Sequence, residues 1–526
     1  MSSMKFWLSS CIFVLGMSLM ANAETQADQK VKGPDRSRPP AVSEPASVQI
    51  PAIEKRVLSN GIPVWFIERH TTPLATVAMF VKAGAVNEPA DKMGVASLTS
   101  DCLNEGTEKY DALQFSEQED NIGASLSIDQ AYFGTTISLT VPYKRLDKGL
   151  DLMAQAVMHP TFPQKEIDRL KALDLTGFLQ QREDPSSLAS CAFLKMIYRN
   201  NPTNRQAYTV AGRAEIFSKL TRDDVVKFYK KNYTPKHAFI AVTGGVNVEQ
   251  AMQQLEAALG SWQEPVLTEA EAAEDMRSSL AKEVPVASKV EGALAKVAGD
   301  STAVDAKVVD GHGKTIYVVD RPGAQQSVIR VGRVGYARDT KFYFPLRVMN
   351  TALGGSFMSR LNQNLREKNG YTYGARSTFV FRVEAGPFLV STDVQTDKTV
   401  PALREIMHEL EGMQKKLPEA ELKRTSDYIC YGYPENFETS GKLAKQLLDM
   451  QLYNLPDDYY STYVDNIRKV DAQSMNVPRL TFFAPNNMCM VVAGDAKAIA
   501  EQLKNEPGWR MEVLSVDDVM GPEVKP

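Results

Sequence analysis

The chain of 526 residues carries a formal net charge of −4, with 24% charged and 43% hydrophobic residues. That balance is typical of a soluble globular protein long enough for at least two domains with cores of their own. The near-neutral charge and the lack of dense Lys/Arg clusters argue against a nucleic-acid partner, and beyond the N-terminus no run approaches the ~20 apolar residues of a membrane span.

Residues 1–23 begin with a basic Lys5, continue through an apolar stretch from Phe6 to Met20 and end in the small-residue site Ala21-Asn22-Ala23. This pattern predicts a cleaved secretory signal peptide, with the periplasm as the simplest address. The apolar run continues past Cys11, which argues against a lipoprotein acylation site. Residues 24–50 are polar and Pro-rich, a flexible lead-in. The folded sequence is expected to begin near Pro51. Asn60-Gly61, set between apolar runs, predicts a hairpin over 57–67. A strand over 75–83, a helix over 94–103, a strand pair at 124–128 and 133–141, helices over 144–158, 163–183 and 184–200, and a closing strand at 237–244 complete a first domain, residues 51–264.

Residues 265–312 are rich in Ala, Glu, Lys and Val, carry no aromatic residue and read as an inserted linker. A second domain, 313–520, repeats the order of the first. It has strands at 315–319 and 327–332, a helix over 344–353, paired strands at 375–383 and 388–394, a helix over 400–413 and another starting at Pro418. Val141 matches Val394, Leu150 matches Leu403, Pro163 matches Pro418, Glu166 matches Glu421 and Arg169 matches Arg424. A shared order at a nearly constant offset indicates an internal duplication.

One stretch of the second domain stands out: Gly354 to Ser377, GGSFMSRLNQNLREKNGYTYGARS. Its helical spacing ends at Asn369-Gly370, the pair expected just past a helix C-terminus. Arg366 falls in the last helical turn and Tyr373 beyond the break, so the two can converge on one point. Taken singly, Arg366 reads as a solvated cation at a helix C-terminus and Tyr373 as a strand core residue. Together they are a permanent guanidinium donor and a neutral phenol donor, both suited to a carbonyl oxygen on which charge develops.

The run LGGSFMSRLNQNLREKNGYTYG resembles the second-half signature of the inverzincin metallopeptidases, the pitrilysin, insulinase and processing-peptidase family. The resemblance implies an α+β fold of two homologous domains, each an antiparallel sheet with helices packed on one face, forming a clamshell chamber. It also implies that Arg366 and Tyr373 bind peptide substrate. The first-half pattern of active members, HxxEH on a helix with a later Glu, holds zinc and activates water. Here Ser97 and Asp101 stand at the His positions and Ser100 at the general base, while the distal ligand position falls on Thr176 or Gly177. The histidines, His70, His159, His237, His312 and His408, are scattered singly. The substituted motif has no base to activate Ser97 or Ser100, and no cofactor is expected in this chain.

The resemblance therefore implies the non-catalytic subunit of a periplasmic zinc metalloendopeptidase heterodimer. A homologous HxxEH subunit would carry the zinc, Arg366 and Tyr373 would act in trans, and unfolded peptides would be the substrates. The alternative from another class is a catalytically inert peptide-binding or scaffold protein of the same fold. A self-sufficient protease would need metal bound by this chain alone. Cys102, Cys191, Cys430 and Cys489 lie far apart without CxxC spacing and read as buried thiols or, at most, opportunistic disulfides.

Overall fold

A computed structural model describes residues 51–198, 214–265 and 314–524. The expected signal peptide, the lead-in and nearly all of the 265–312 linker lie outside the described residues. Among the described residues, twelve strands form two six-stranded sheets. The strands of the first sheet are β1 (Glu54–Val57), β2 (Pro63–Glu68), β3 (Leu74–Val81), β4 (Ser125–Gln130), β5 (Thr135–Pro142) and β6 (Ala238–Gly244). Those of the second are β7 (Thr315–Asp320), β8 (Gln326–Val334), β9 (Ala375–Phe379), β10 (Pro387–Gln395), β11 (Cys489–Gly494) and β12 (Arg510–Leu514).

The hairpin read from Asn60-Gly61 joins β1 to β2, with Gly61 at φ +89° where a side chain would be strained. The sheet orders are β1-β2-β6-β3-β5-β4 and β12-β7-β11-β8-β10-β9. Position by position the two agree. The β2/β6 and β7/β11 pairs are parallel, and the β6/β3/β5/β4 and β11/β8/β10/β9 series are antiparallel. In register, Val77 faces Val242 as Ile329 faces Val492. The duplication thus extends to hydrogen-bond register, and each sheet is mixed, built mainly of antiparallel pairs. Symmetry fails at the outer edge, where β1 is antiparallel to β2 but β12 is parallel to β7.

The strands' alternation allots the two faces of each sheet to different cores. Val77, Met79, Val81, Ile137, Leu139, Ile240 and Val242 turn toward the first half's own helices, among them Leu146–Met158 and Val248–Leu259. The opposite face, with Ile67, Ala78, Phe80, Phe239 and Ala241, belongs to the core of the second half. Helix Ser440–Leu452 covers that face, packing on β3 and β6. The reciprocal arrangement holds in the second sheet. Ile316, Val318, Ile329, Val331, Met490 and Val492 face their own helices, whereas Tyr317, Val319, Val328, Cys489, Val491 and Ala493 pack against Leu188, Ala189, Ala192 and Phe193. Those last four residues lie on Pro185–Ile197 of the first half. Helices therefore cover both faces of each sheet, one face by its own half and the other by a helix exchanged from its counterpart.

Polar contacts fix the exchange. Buried Arg330 of β8 donates to the hydroxyls of Ser186 (2.7 Å) and Ser190 (3.3 Å) on the exchanged helix. Thr243 of β6 donates to the carbonyl of Ser440 at 2.7 Å. Cys102, Cys191, Cys430 and Cys489 are all unbridged thiols. The matched carboxylates Glu166 and Glu421 each hold a guanidinium, but not matched ones. Glu166 takes Arg169 of its own helix, and Glu421 takes Arg360 from the motif segment through two bonds of 2.8 and 2.6 Å.

Candidate functional site

The substituted zinc motif lies on helix Val95–Asp101. Gly94 opens it in the left-handed region (φ +94°), and the buried carboxylate of Glu88 accepts from the backbone N–H of Gly94 (3.0 Å) and Ala96 (2.9 Å). This satisfies two donors that a helix start leaves unpaired. One turn on, the motif positions bind one another. Ser97 Oγ donates to Asp101 Oδ2 and Ser100 Oγ to Asp101 Oδ1, both at 3.4 Å, and Ser100 also reaches the carbonyl of Ser97 at 2.7 Å.

Burial, reinforced by the charge of Asp174, pushes the Asp101 carboxyl up to about 6, against the opposing pull of the two serine hydroxyls. Burial raises Asp174 as well, and it pushes the neighbouring Cys102 thiol up to about 12. Asp174 is a residue that the sequence reading missed. Counting along the helix pointed to Thr176 or Gly177, yet Thr176 spends its hydroxyl on the carbonyl of Ala172 (2.8 Å) and Gly177 has only open space around it. The carboxylate that acts on the motif comes from Asp174, a few residues earlier on helix Gln164–Glu183. Among the described residues no group of three or more His, Cys, Asp or Glu is placed to hold a metal ion. Two carboxyls held protonated more readily than usual, with serine hydroxyls and no imidazole, do not suit zinc, which wants deprotonated N, S or O ligands in a tetrahedron.

The second-half motif is built on a rigid frame. Helix Tyr343–Asn350 runs into a π-helical turn, Thr351–Gly355, and a second π-helical turn spans Asn362–Lys368. Such widened turns are frequent at functional sites. A side chain on Gly354 would sit 2.3 Å from the Ser377 backbone nitrogen, so only glycine lets β9 approach this closely. Asn350 locks the same junction, accepting from Ser377 Oγ at 2.9 Å and donating to the Ser377 carbonyl at 3.1 Å. Leu361 and Leu365 are fully buried beneath the second π-turn. Asn364 Nδ2 is held by Glu405 (2.8 Å) and Glu409 (2.7 Å).

Gly370 ends the helix in the left-handed region (φ +65°), and Tyr371 N–H returns to the carbonyl of Leu365 at 2.8 Å. This is the stop that Asn369-Gly370 predicts. The strand begins at Ala375, as expected, and Tyr373, two residues before it, is not a strand core residue. It sits in a turn closed by Thr372 Oγ1 and the Gly374 backbone, and Thr392 donates to Thr372 Oγ1 at 3.0 Å. The backbone is pinned on both sides while the phenol stands 95% exposed. Arg366 is in the last helical turn, with Nε 3.4 Å from Glu367 Oε1 and the guanidinium 4.7 Å above the ring of Phe357. Arg366 and Tyr373 therefore share one short surface segment, each presenting donors outward. The exposed phenol is not packed against the guanidinium.

A family model described as insulinase (peptidase family M16) matches residues 64–209, and one described as peptidase M16 inactive domain matches residues 219–427. A Helicobacter pylori protein named non-peptidase homolog YmxG is 22% identical over 420 residues, covering 79% of this chain and 88% of its own. An uncharacterized zinc protease of Streptomyces coelicolor is 23% identical over 399 residues, covering 76% of this chain and 80% of its own. Among solved structures, a peptidase M16 inactive domain from Pseudomonas fluorescens superposes with a TM-score of 0.70 at 22% identity, over 84% of this chain and 98% of that one. A protease from Helicobacter pylori superposes with a TM-score of 0.71 at 18% identity, over 85% of this chain and 100% of that one.

Proposed function

Since the chain belongs to the M16 (insulinase) peptidase family, as a non-catalytic member, we propose that it is the substrate-holding subunit of a periplasmic zinc endopeptidase whose other subunit carries HxxEH. The observation that carries this reading is the presentation of Tyr373, an aromatic side chain 95% exposed on a backbone pinned by hydrogen bonds, seven residues past Arg366 on the same surface segment. Exposing a phenol from a rigid loop gains nothing for the fold of the isolated chain. It makes sense when a second surface closes over it.

In the assembled pair, zinc in the HxxEH subunit supplies a Lewis acid and an activated water. This chain's part is to bind and orient. Arg366 offers fixed N–H donors and Tyr373 one O–H donor to the carbonyl oxygens of an extended peptide, and the same donors strengthen as the scissile carbonyl becomes an oxyanion. Exported unfolded peptides are the substrates. The test is peptide hydrolysis by the reconstituted pair. Arg366→Ala or Tyr373→Phe lowers kcat by about 10²–10³, the usual effect of losing one oxyanion donor, while assembly is unchanged on size-exclusion chromatography. Full turnover by both variants contradicts the assigned roles.

A second reading is favoured by the name non-peptidase homolog carried by the Helicobacter pylori relative: a peptide-binding protein that never meets a catalytic partner. It predicts that the same two substitutions weaken peptide binding by the isolated chain and that no zinc-bearing homologue co-purifies with it.

A further inference from the structure

Phe357 is 55% exposed and Met358 54% exposed, in the loop between the two π-helical turns. Two large apolar side chains side by side on a surface loop are unusual unless they contact something. The loop is not loose. Ser356 Oγ donates to the Thr351 carbonyl at 3.3 Å, Asn362 Nδ2 donates to the Ser356 carbonyl at 3.4 Å, and Ser359 N–H donates to that same carbonyl at 3.2 Å. Gln363 Nε2 reaches Met358 Sδ at 3.6 Å. The ring of Phe357 is thus carried on an ordered backbone, and the guanidinium carbon of Arg366 lies 4.7 Å from its centroid. The carboxylate of Glu367, the next residue in the chain, approaches Arg366 Nε only to 3.4 Å.

We propose that Phe357 is a positioning residue: an aromatic shelf that holds the Arg366 guanidinium flat and ready before peptide arrives. The inference rests on the peptide-holding role proposed above for Arg366. An arginine side chain has several freely rotating bonds, and ordering it when substrate binds would cost part of the binding energy. Stacking on a ring meets that cost beforehand and occupies none of the in-plane N–H donors, because a cation–π contact uses the face of the guanidinium and not its edge. A carboxylate clamp would hold the side chain equally well but would occupy those donors. Tyr373 needs no shelf, since its ring has fewer rotations to lose and its turn is fixed by Thr372 and Thr392. The two donors are thus prepared in different ways, one by stacking and one by its backbone.

Two measurements test this. In the isolated full-length chain, the Arg366 side-chain NMR resonances, assigned by comparison with Arg366→Lys, show a ring-current shift that disappears in Phe357→Leu and persists in Phe357→Trp. In the reconstituted pair, Phe357→Leu lowers kcat/KM by about 2- to 5-fold, the range of an exposed cation–π contact. Phe357→Trp restores kcat/KM, and Phe357→Leu has no further effect in an Arg366→Ala background. A full additional loss in that background, or a wild-type resonance that does not respond to Phe357→Leu, overturns the proposal. If Arg366→Ala itself leaves turnover unchanged, the role of Arg366 fails instead, and the resonance still reports whether the shelf exists.

Discussion

Asp101 stands where a neutral imidazole would be required, and its environment favours the protonated carboxyl. Burial, then Asp174, raise it to about 6. A carboxyl whose folded pKa lies above its unfolded value near 4 contributes stability that is complete below that unfolded value and lost as pH rises through the folded one. Asp101→Asn keeps the neutral form at every pH. It should be nearly neutral for stability at about pH 4 and stabilising by about 2–3 kcal/mol at about pH 8. Chemical denaturation of both proteins across that range checks this, and parallel pH profiles would contradict it. The identities of Ser97, Ser100 and Asp101 were legible in the sequence because a motif position can be read letter by letter. Asp174 was not, because counting residues along a helix fixes a number, whereas electrostatic coupling depends on which face meets the motif helix. The exposure of Tyr373 was hidden for a related reason. A Tyr just ahead of an apolar strand looks like core, because the sequence does not show that the turn closed by Thr372 and Gly374 leaves its ring exposed.

The most consequential elements are the exchanged helices. Leu443, Ala444 and Leu447 of Ser440–Leu452 are buried in the core that includes Ile67, Ala78 and Phe80 of the first sheet. Leu447→Ala should cost about 2–5 kcal/mol, as for other fully buried leucines. The loss should appear as destabilisation of the first half as well as the second, read by hydrogen exchange at β3 and β6. Protection at those strands equal to the wild type would mean that the helix does not support them. The repeated order of strands, and even their register, could be anticipated from matched residues such as Val141 and Val394. Which sheet each helix covers could not. Amphipathic spacing shows that a helix has an apolar face, and a strand such as β6, apolar without alternation over Ala238–Val242, shows that both faces are covered, but neither names the other party.

At the scale of the whole molecule the exchange makes the two halves mutually dependent. Residues 51–264 produced alone would expose the face containing Phe80 and Phe239, an apolar patch of the kind that drives aggregation. Co-production with residues 313–524 should yield a soluble complex that elutes as one particle, since folded elements of each half pack into the core of the other. A stable, monodisperse first half on its own would contradict that dependence. An interlocked body of this kind suits a role as one rigid partner of a pair, offering a fixed surface to a second subunit. The most direct test of that role is peptide hydrolysis by this chain alone, by a zinc-bearing HxxEH homologue alone and by an equimolar mixture. No turnover by this chain, little by the homologue and strong turnover by the mixture are expected. Cleavage by this chain alone, or a mixture no faster than the homologue, would contradict that role.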